Sequence, residues 1–207
     1  MRTSIFLAIA YLLSHTATVS AGSIEGKITF DSKPPFAGLF YFRDKGAKGG
    51  KFDIDQKDKE FVQKVFPVTV GSKVEFHNSD NMDHNIYASS MEDNIKFDIG
   101  ILPPGANQVA DNASWKEDSV FRIGCKIHPK MKAYIANIPS SHYAAIDFDK
   151  QAEHSFKINN VPADQTTLVV WMPKYDDIEI NIKPGEEKTV ELLRSGKVRG
   201  TLTVKRN

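Results

Sequence analysis

Apolar and polar residues alternate in short runs along most of this 207-residue chain. Such runs include Ile24, Ile28 and Phe30; Leu39 and Tyr41; Val68 and Val70; Val74 and Phe76. Later ones are Val120-Phe121-Arg122-Ile123, Ala133-Tyr134-Ile135-Ala136, Phe156-Lys157-Ile158, Leu168-Val169-Val170-Trp171, Ile178 to Ile182, and Val190-Glu191-Leu192. A period of two puts successive side chains on opposite faces of a strand, one face buried and one solvated. Turn formers punctuate the runs: Lys33-Pro34-Pro35, Gly49-Gly50, Pro103-Pro104-Gly105 and Lys183-Pro184-Gly185. Helical periodicity is almost absent, and there is no internal repeat or low-complexity tract. The pattern predicts an all-β protein built as a sandwich.

Residues 1–21 stand apart. Arg2 gives a basic start, Ile5 to Leu13 an apolar run, and Val19-Ser20-Ala21 a small-residue cleavage site. That is the pattern of a secretory signal peptide, too short in its apolar part to span a bilayer comfortably. No later stretch is apolar enough to be transmembrane. The chain is therefore expected to be exported, periplasmic or secreted, and not membrane-spanning. A boundary near Pro139-Ser140-Ser141 divides the remainder into a domain of residues 22–139 and a smaller β-domain of 140–207.

Charge narrows the partners. Lys and Arg number 27 against 26 Asp and Glu, and loss of Arg2 with the signal leaves 26 of each sign. A neutral chain without a clustered basic excess excludes nucleic acid as the expected partner. The single cysteine excludes an internal disulfide, and an idle thiol in an oxidising compartment is a liability. Asn112-Ala113-Ser114 fits a glycosylation sequon, relevant only in a eukaryotic secretory route.

Cys125 has His128 three residues on and Met131 three beyond that, with Pro129 directly after the histidine. Thiolate, imidazole and thioether are the ligand types of a mononuclear blue-copper centre, which combines two His and one Cys with a weak axial Met. His84, in Asp83-His84-Asn85-Ile86, is the obvious second imidazole. The metal ligands are thus expected to be His84, Cys125, His128 and Met131, holding one Cu(I)/Cu(II) ion. Asn85 is expected beside them, its amide tying the two ligand segments together. Pro129 stiffens the loop by fixing its own φ and restricting His128.

Val68 to Phe76, then His84-Asn85-Ile86, then Cys125 to Met131 together resemble a cupredoxin. The C-x-x-H-x-x-M spacing is similar to amicyanin; plastocyanin and azurin have longer ligand loops. The chain more closely resembles the bacterial plastocyanin-like "methylamine utilization" proteins, through Ile54-Asp55-Gln56, Asn78-Ser79-Asp80 and Gly124-Cys125-Lys126-Ile127-His128. Phe156 to Pro173 looks like the carboxypeptidase-regulatory-type β-sandwich of the same relatives. The resemblance implies a cupredoxin Greek-key β-sandwich followed by a small C-terminal β-sandwich, one type 1 copper, and electron transfer in the periplasm.

The expected function is single-electron transfer between redox partner proteins, of dehydrogenase or cytochrome type, by a monomer that is not itself an enzyme. A copper-binding or copper-delivery protein without redox cycling is the alternative. Five histidines after the signal are too few for the further His-rich sites of nitrite reductases and oxidases, and a binuclear centre needs two cysteines. His77, Asp80, Met82 and Asp83 form a second cluster, expected to be a solvated loop rather than a metal site. Met91 and Met172 are expected to pack. Lys126, Lys130 and Lys132 ring the ligand loop and could steer an acidic partner.

Overall fold

The computed structural model describes residues 21–44, 46–90 and 95–207; residues 1–20 of the expected signal segment and Met91 lie outside them, while Ala21, its expected last residue, opens the first strand. Among the described residues every regular element is a strand, so the all-β expectation holds. None of them forms a helix long and apolar enough to cross a membrane.

The chain begins with β1 (Ala21–Phe30) and β2 (Ala37–Phe42). It then builds a complete sandwich from β3 (Lys51–Lys57), β4 (Glu60–Phe61), β5 (Val65–Thr69), β6 (Lys73–Asn78), β7 (His84–Ser90), β8 (Ile95–Leu102), β9 (Asn107–Asp111), β10 (Ser119–Gly124) and β11 (Lys132–Ile138). One sheet of this sandwich has the order β5-β11-β10-β7-β8 and the other β4-β3-β6-β9. After β8 and β9 the chain returns in β10 beside β7, a connection of Greek-key type. Its core holds Ile54, Phe66, Phe76, Ile86, Phe121 and Ile135, with Cys125 and Met131 at one end.

The last strands are β12 (His142–Asp147), β13 (Glu153–Pro162), β14 (Thr167–Trp171), β15 (Ile178–Asn181), β16 (Glu187–Arg194) and β17 (Lys197–Arg206). They do not make a domain alone. β1 lies between β13 and β17, and β2 between β12 and β14. The strand pairing therefore departs from a division at 22–139 and 140–207. Residues 21–42 complete the C-terminal sandwich, and the ligand-bearing sandwich is inserted between β2 and β12. Alternation in β1 tells which face is buried but not which strand lies alongside, because pairing partners are set by tertiary contacts.

β2 explains how the two sandwiches join. All six of its residues are buried. Phe40 and Phe42 face the C-terminal core with Ile28, Leu168 and Leu202. Leu39 and Tyr41 face the other way, against Val65, Ala136, Ile138 and Val169. A strand apolar on both faces is the signature of burial on both sides, and the same holds for β5, β11 and β14. Trp171 sits in this junction, its ring edge-on to Tyr134 at 4.8 Å. Trp115 packs instead in the inserted sandwich, stacked on Phe97, and Met172 packs in the C-terminal core.

Asn112 of the sequon is fully buried. Its amide donates to Thr69 O and Asn137 Oδ1, and its Oδ1 accepts the Ser72 N–H. It is a structural cross-brace with no face open to modification.

Candidate metal centre

Three chain segments meet at the end of the inserted sandwich. His84 opens β7 and pairs with Leu102 of β8. Cys125 follows the last residue of β10, where Gly124 pairs with Tyr87. His128 lies in the loop that leads to β11. Its carbonyl accepts the Met131 N–H at 2.9 Å, closing a turn with Pro129 in the second position. There a proline's fixed φ favours the turn, which brings Met131 back beneath the loop.

The donor atoms converge. Cys125 Sγ lies 3.9 Å from His84 Nδ1 and 3.8 Å from His128 Nδ1, and the two Nδ1 atoms are 3.1 Å apart. His84 and Cys125 are buried, at 0% and 2% exposure, while His128 is half-buried. A metal bonded to imidazole nitrogen at about 2.0 Å and to thiolate at about 2.3 Å separates its ligand atoms by roughly 3.3–3.7 Å. The observed spacings fall around that range. Lone pairs aimed at one point repel one another unless a cation or proton lies among them, so the arrangement suits a metal electrostatically. The donors are one thiolate and two imidazoles, the set that suits copper of the type 1 kind.

Met131 is 3% exposed and packs in the same core cluster as Cys125. Three of the four sequence-derived ligands thus meet through their donor atoms, and the fourth lies in the adjoining core.

The neighbours hold this geometry. His84 Nε2 donates to Asp80 Oδ2 at 2.9 Å, which leaves the Nδ1 lone pair free to face Cys125. Asp80 also accepts the Lys59 and Asn81 N–H groups. Those backbone bonds, Lys59 first, and the bond from His84 hold its carboxyl down to about 2. Asn78 supports the same loop by donating to Met82 O and Leu102 O. Asn85 Oδ1 accepts the N–H of Lys126, the residue after Cys125, at 3.3 Å. Its Nδ2 donates to Asp98 Oδ1 and Gly100 O, so one amide joins β7, β8 and the ligand loop. Burial first, then the His84 ring, pushes the His128 imidazolium below its ordinary range.

The role of Asp80 was not legible at the sequence level, where it grouped with His77. The available signal was an acid four residues before His84, in the Asn78-Ser79-Asp80 segment. Of the rim lysines, Lys126 is paired with Asp98 and Lys132 lies over the Phe36 ring at 5.2 Å.

No protein-family model matches the chain, and no curated protein matches it. Similar solved structures include a "Novel Purple Cupredoxin" from Nitrosopumilus maritimus, at 17% identity and TM-score 0.36, covering 42% of this chain and 98% of that one. An amicyanin variant in its reduced Cu(I) form gives 18% identity and TM-score 0.37, covering 54% of this chain and 97% of that one. A Cu-containing nitrite reductase from Thermus scotoductus gives 21% identity and TM-score 0.38, covering 47% of this chain and 25% of that one. This chain therefore corresponds to about a quarter of the nitrite reductase.

Proposed function

We propose that this is an exported type 1 copper protein of cupredoxin kind that passes single electrons between redox partner proteins, acting as a monomer. The observation that carries the reading is the convergence of Cys125 Sγ, His84 Nδ1 and His128 Nδ1 on one point, two of the three residues buried.

When bound, copper supplies a one-electron couple. The chain's part is to hold the ligands in one geometry and to keep water out. Asp80 fixes the His84 tautomer, Asn85 pins the start of the ligand loop, and the Pro129 turn sets the distance from His128 to Met131. Such bracing from strand ends limits rearrangement when charge changes, which suits electron transfer better than catalysis on a bound substrate. Met131 would supply a weak thioether donor. His128, the ligand reached by solvent, is the electron port. The short amicyanin-like loop and Gly124 to His128 favour the "methylamine utilization"-like subgroup.

A Cu(II) titration followed by visible absorption and electron paramagnetic resonance tests the reading. One equivalent should give an intense thiolate-to-copper band that bleaches reversibly with reductant. Cys125→Ser should abolish the band, and Met131→Leu should shift the potential with copper still bound. Colourless binding that is lost quickly to an acceptor would favour copper delivery instead.

A further inference from the structure

Outside the ligand loop, a second cluster of metal-ligating residue types lies on the outer face of the β4-β3-β6-β9 sheet. Parallel pairing sets Asp53 of β3 beside Glu75 of β6 and Asp55 beside His77. Val74 and Phe76 point into the core, so Glu75 and His77 share the opposite face. His77 Nε2 lies 3.2 Å from Asp53 Oδ1 and 3.9 Å from Glu75 Oε1, and the three donor atoms fall within 4.8 Å of one another.

We propose that Asp53, Glu75 and His77 form a second metal site, for a divalent cation of borderline softness such as Zn2+ or Cu2+. Bonds of about 2.0–2.2 Å to nitrogen and oxygen place tetrahedral ligands about 3.3–3.6 Å apart, near the His77–Asp53 spacing and a few tenths of an ångström shorter than the His77–Glu75 one. The backbone under all three donors is fixed by the ladder, so small side-chain adjustments close the site. Glu75 is the anchor. Only 8% exposed, it accepts from Asn107 Nδ2 at 2.5 Å through Oε1 and pairs with Lys51 through Oε2. Two carboxylates against one ammonium leave a net negative charge beside the imidazole, which favours a cation. Asp53 and His77 stay open to solvent, so water completes the coordination and the metal exchanges readily. With no sulfur donor, the site does not select Cu(I). It stands or falls independently of the copper reading above.

The test is calorimetric titration of the Cys125→Ser protein with Zn2+, the substitution removing the thiolate of the first donor group. One equivalent should bind, and adding His77→Ala or Asp53→Asn should weaken it at least tenfold; Asp53→Asn keeps the side chain's shape should the alanine variant fold poorly. The His77 ring resonances should shift with the first equivalent. Failure of the Cys125→Ser protein to bind Zn2+, binding that both second substitutions leave unchanged, or an unmoved His77 ring would overturn the site.

Discussion

Asp80 Oδ2 accepts a hydrogen bond from His84 Nε2 at 2.9 Å, so a carboxylate four residues upstream decides which imidazole nitrogen faces Cys125. The carboxylate is in turn held by two backbone N–H groups, one of them from Lys59 in a separate turn. Removing it frees the ring to rotate and to change tautomer. Asp80→Ala is expected to weaken copper binding by about 10–100-fold. Competition against a chelator of known affinity measures this, and an unchanged affinity would remove Asp80 from the account.

A pH effect follows from Asp98. The Lys126 ammonium first, then the Gly100 N–H and the Asn85 amide, hold its carboxyl down to about 2. A depressed folded-state value contributes stability above the unfolded-state range near 3.8, lost as pH falls from there through about 2. The side chain is 38% exposed, so solvent screening keeps the effect small. Asp98→Asn should flatten the fall in stability between about pH 4 and pH 2, read by denaturant midpoints across that range.

The junction between sandwiches is expected to unite them thermodynamically. Leu39 is fully buried on the face of β2 that meets Val65 and Ile138. Leu39→Ala should cost about 2–4 kcal/mol. A single calorimetric transition moving to lower temperature would show both sandwiches unfolding together; two separated transitions would show the junction to be weak.

In the C-terminal sandwich, Gly26 is a position with little room for a side chain. A Cβ there would lie 2.1 Å from the Phe156 ring, which stacks on Phe40 with centroids 4.1 Å apart. Gly26→Ala should destabilise by about 1–3 kcal/mol, while copper stoichiometry, set in the other sandwich, stays the same.

Much of this was legible from alternation alone. Ile24, Ile28 and Phe30, or Val74 and Phe76, mark buried faces that the structure keeps. Cys125 and His128 were legible because a short loop carries both, and His84 because an imidazole was still needed. What escaped the sequence depends on register and long-range pairing. Nothing local in Ala21–Phe30 names β13 and β17 as its neighbours. Nor does any spacing announce that Asp53 will lie beside Glu75, since parallel strands far apart in sequence set that contact. Arg206 shows the limit from the other side. A charged residue closes β17 on its inward face, buried, with its guanidinium donating to Ile182 O and Pro162 O and lying over the Phe42 ring. Read by polarity alone, that position faces water.

The insertion of one sandwich within the other has a consequence in time. The ligand-bearing unit draws its strands from the continuous stretch 51–138, so its contacts can form as soon as that stretch is available. β1 and β2 are made first yet must wait, apolar and unpaired, for partners at the far end of the chain; Glu25 meets Lys205 only when β17 is complete. The first strands are therefore the last to be enclosed, and the metal-binding unit matures within a scaffold that has not yet closed around its own beginning.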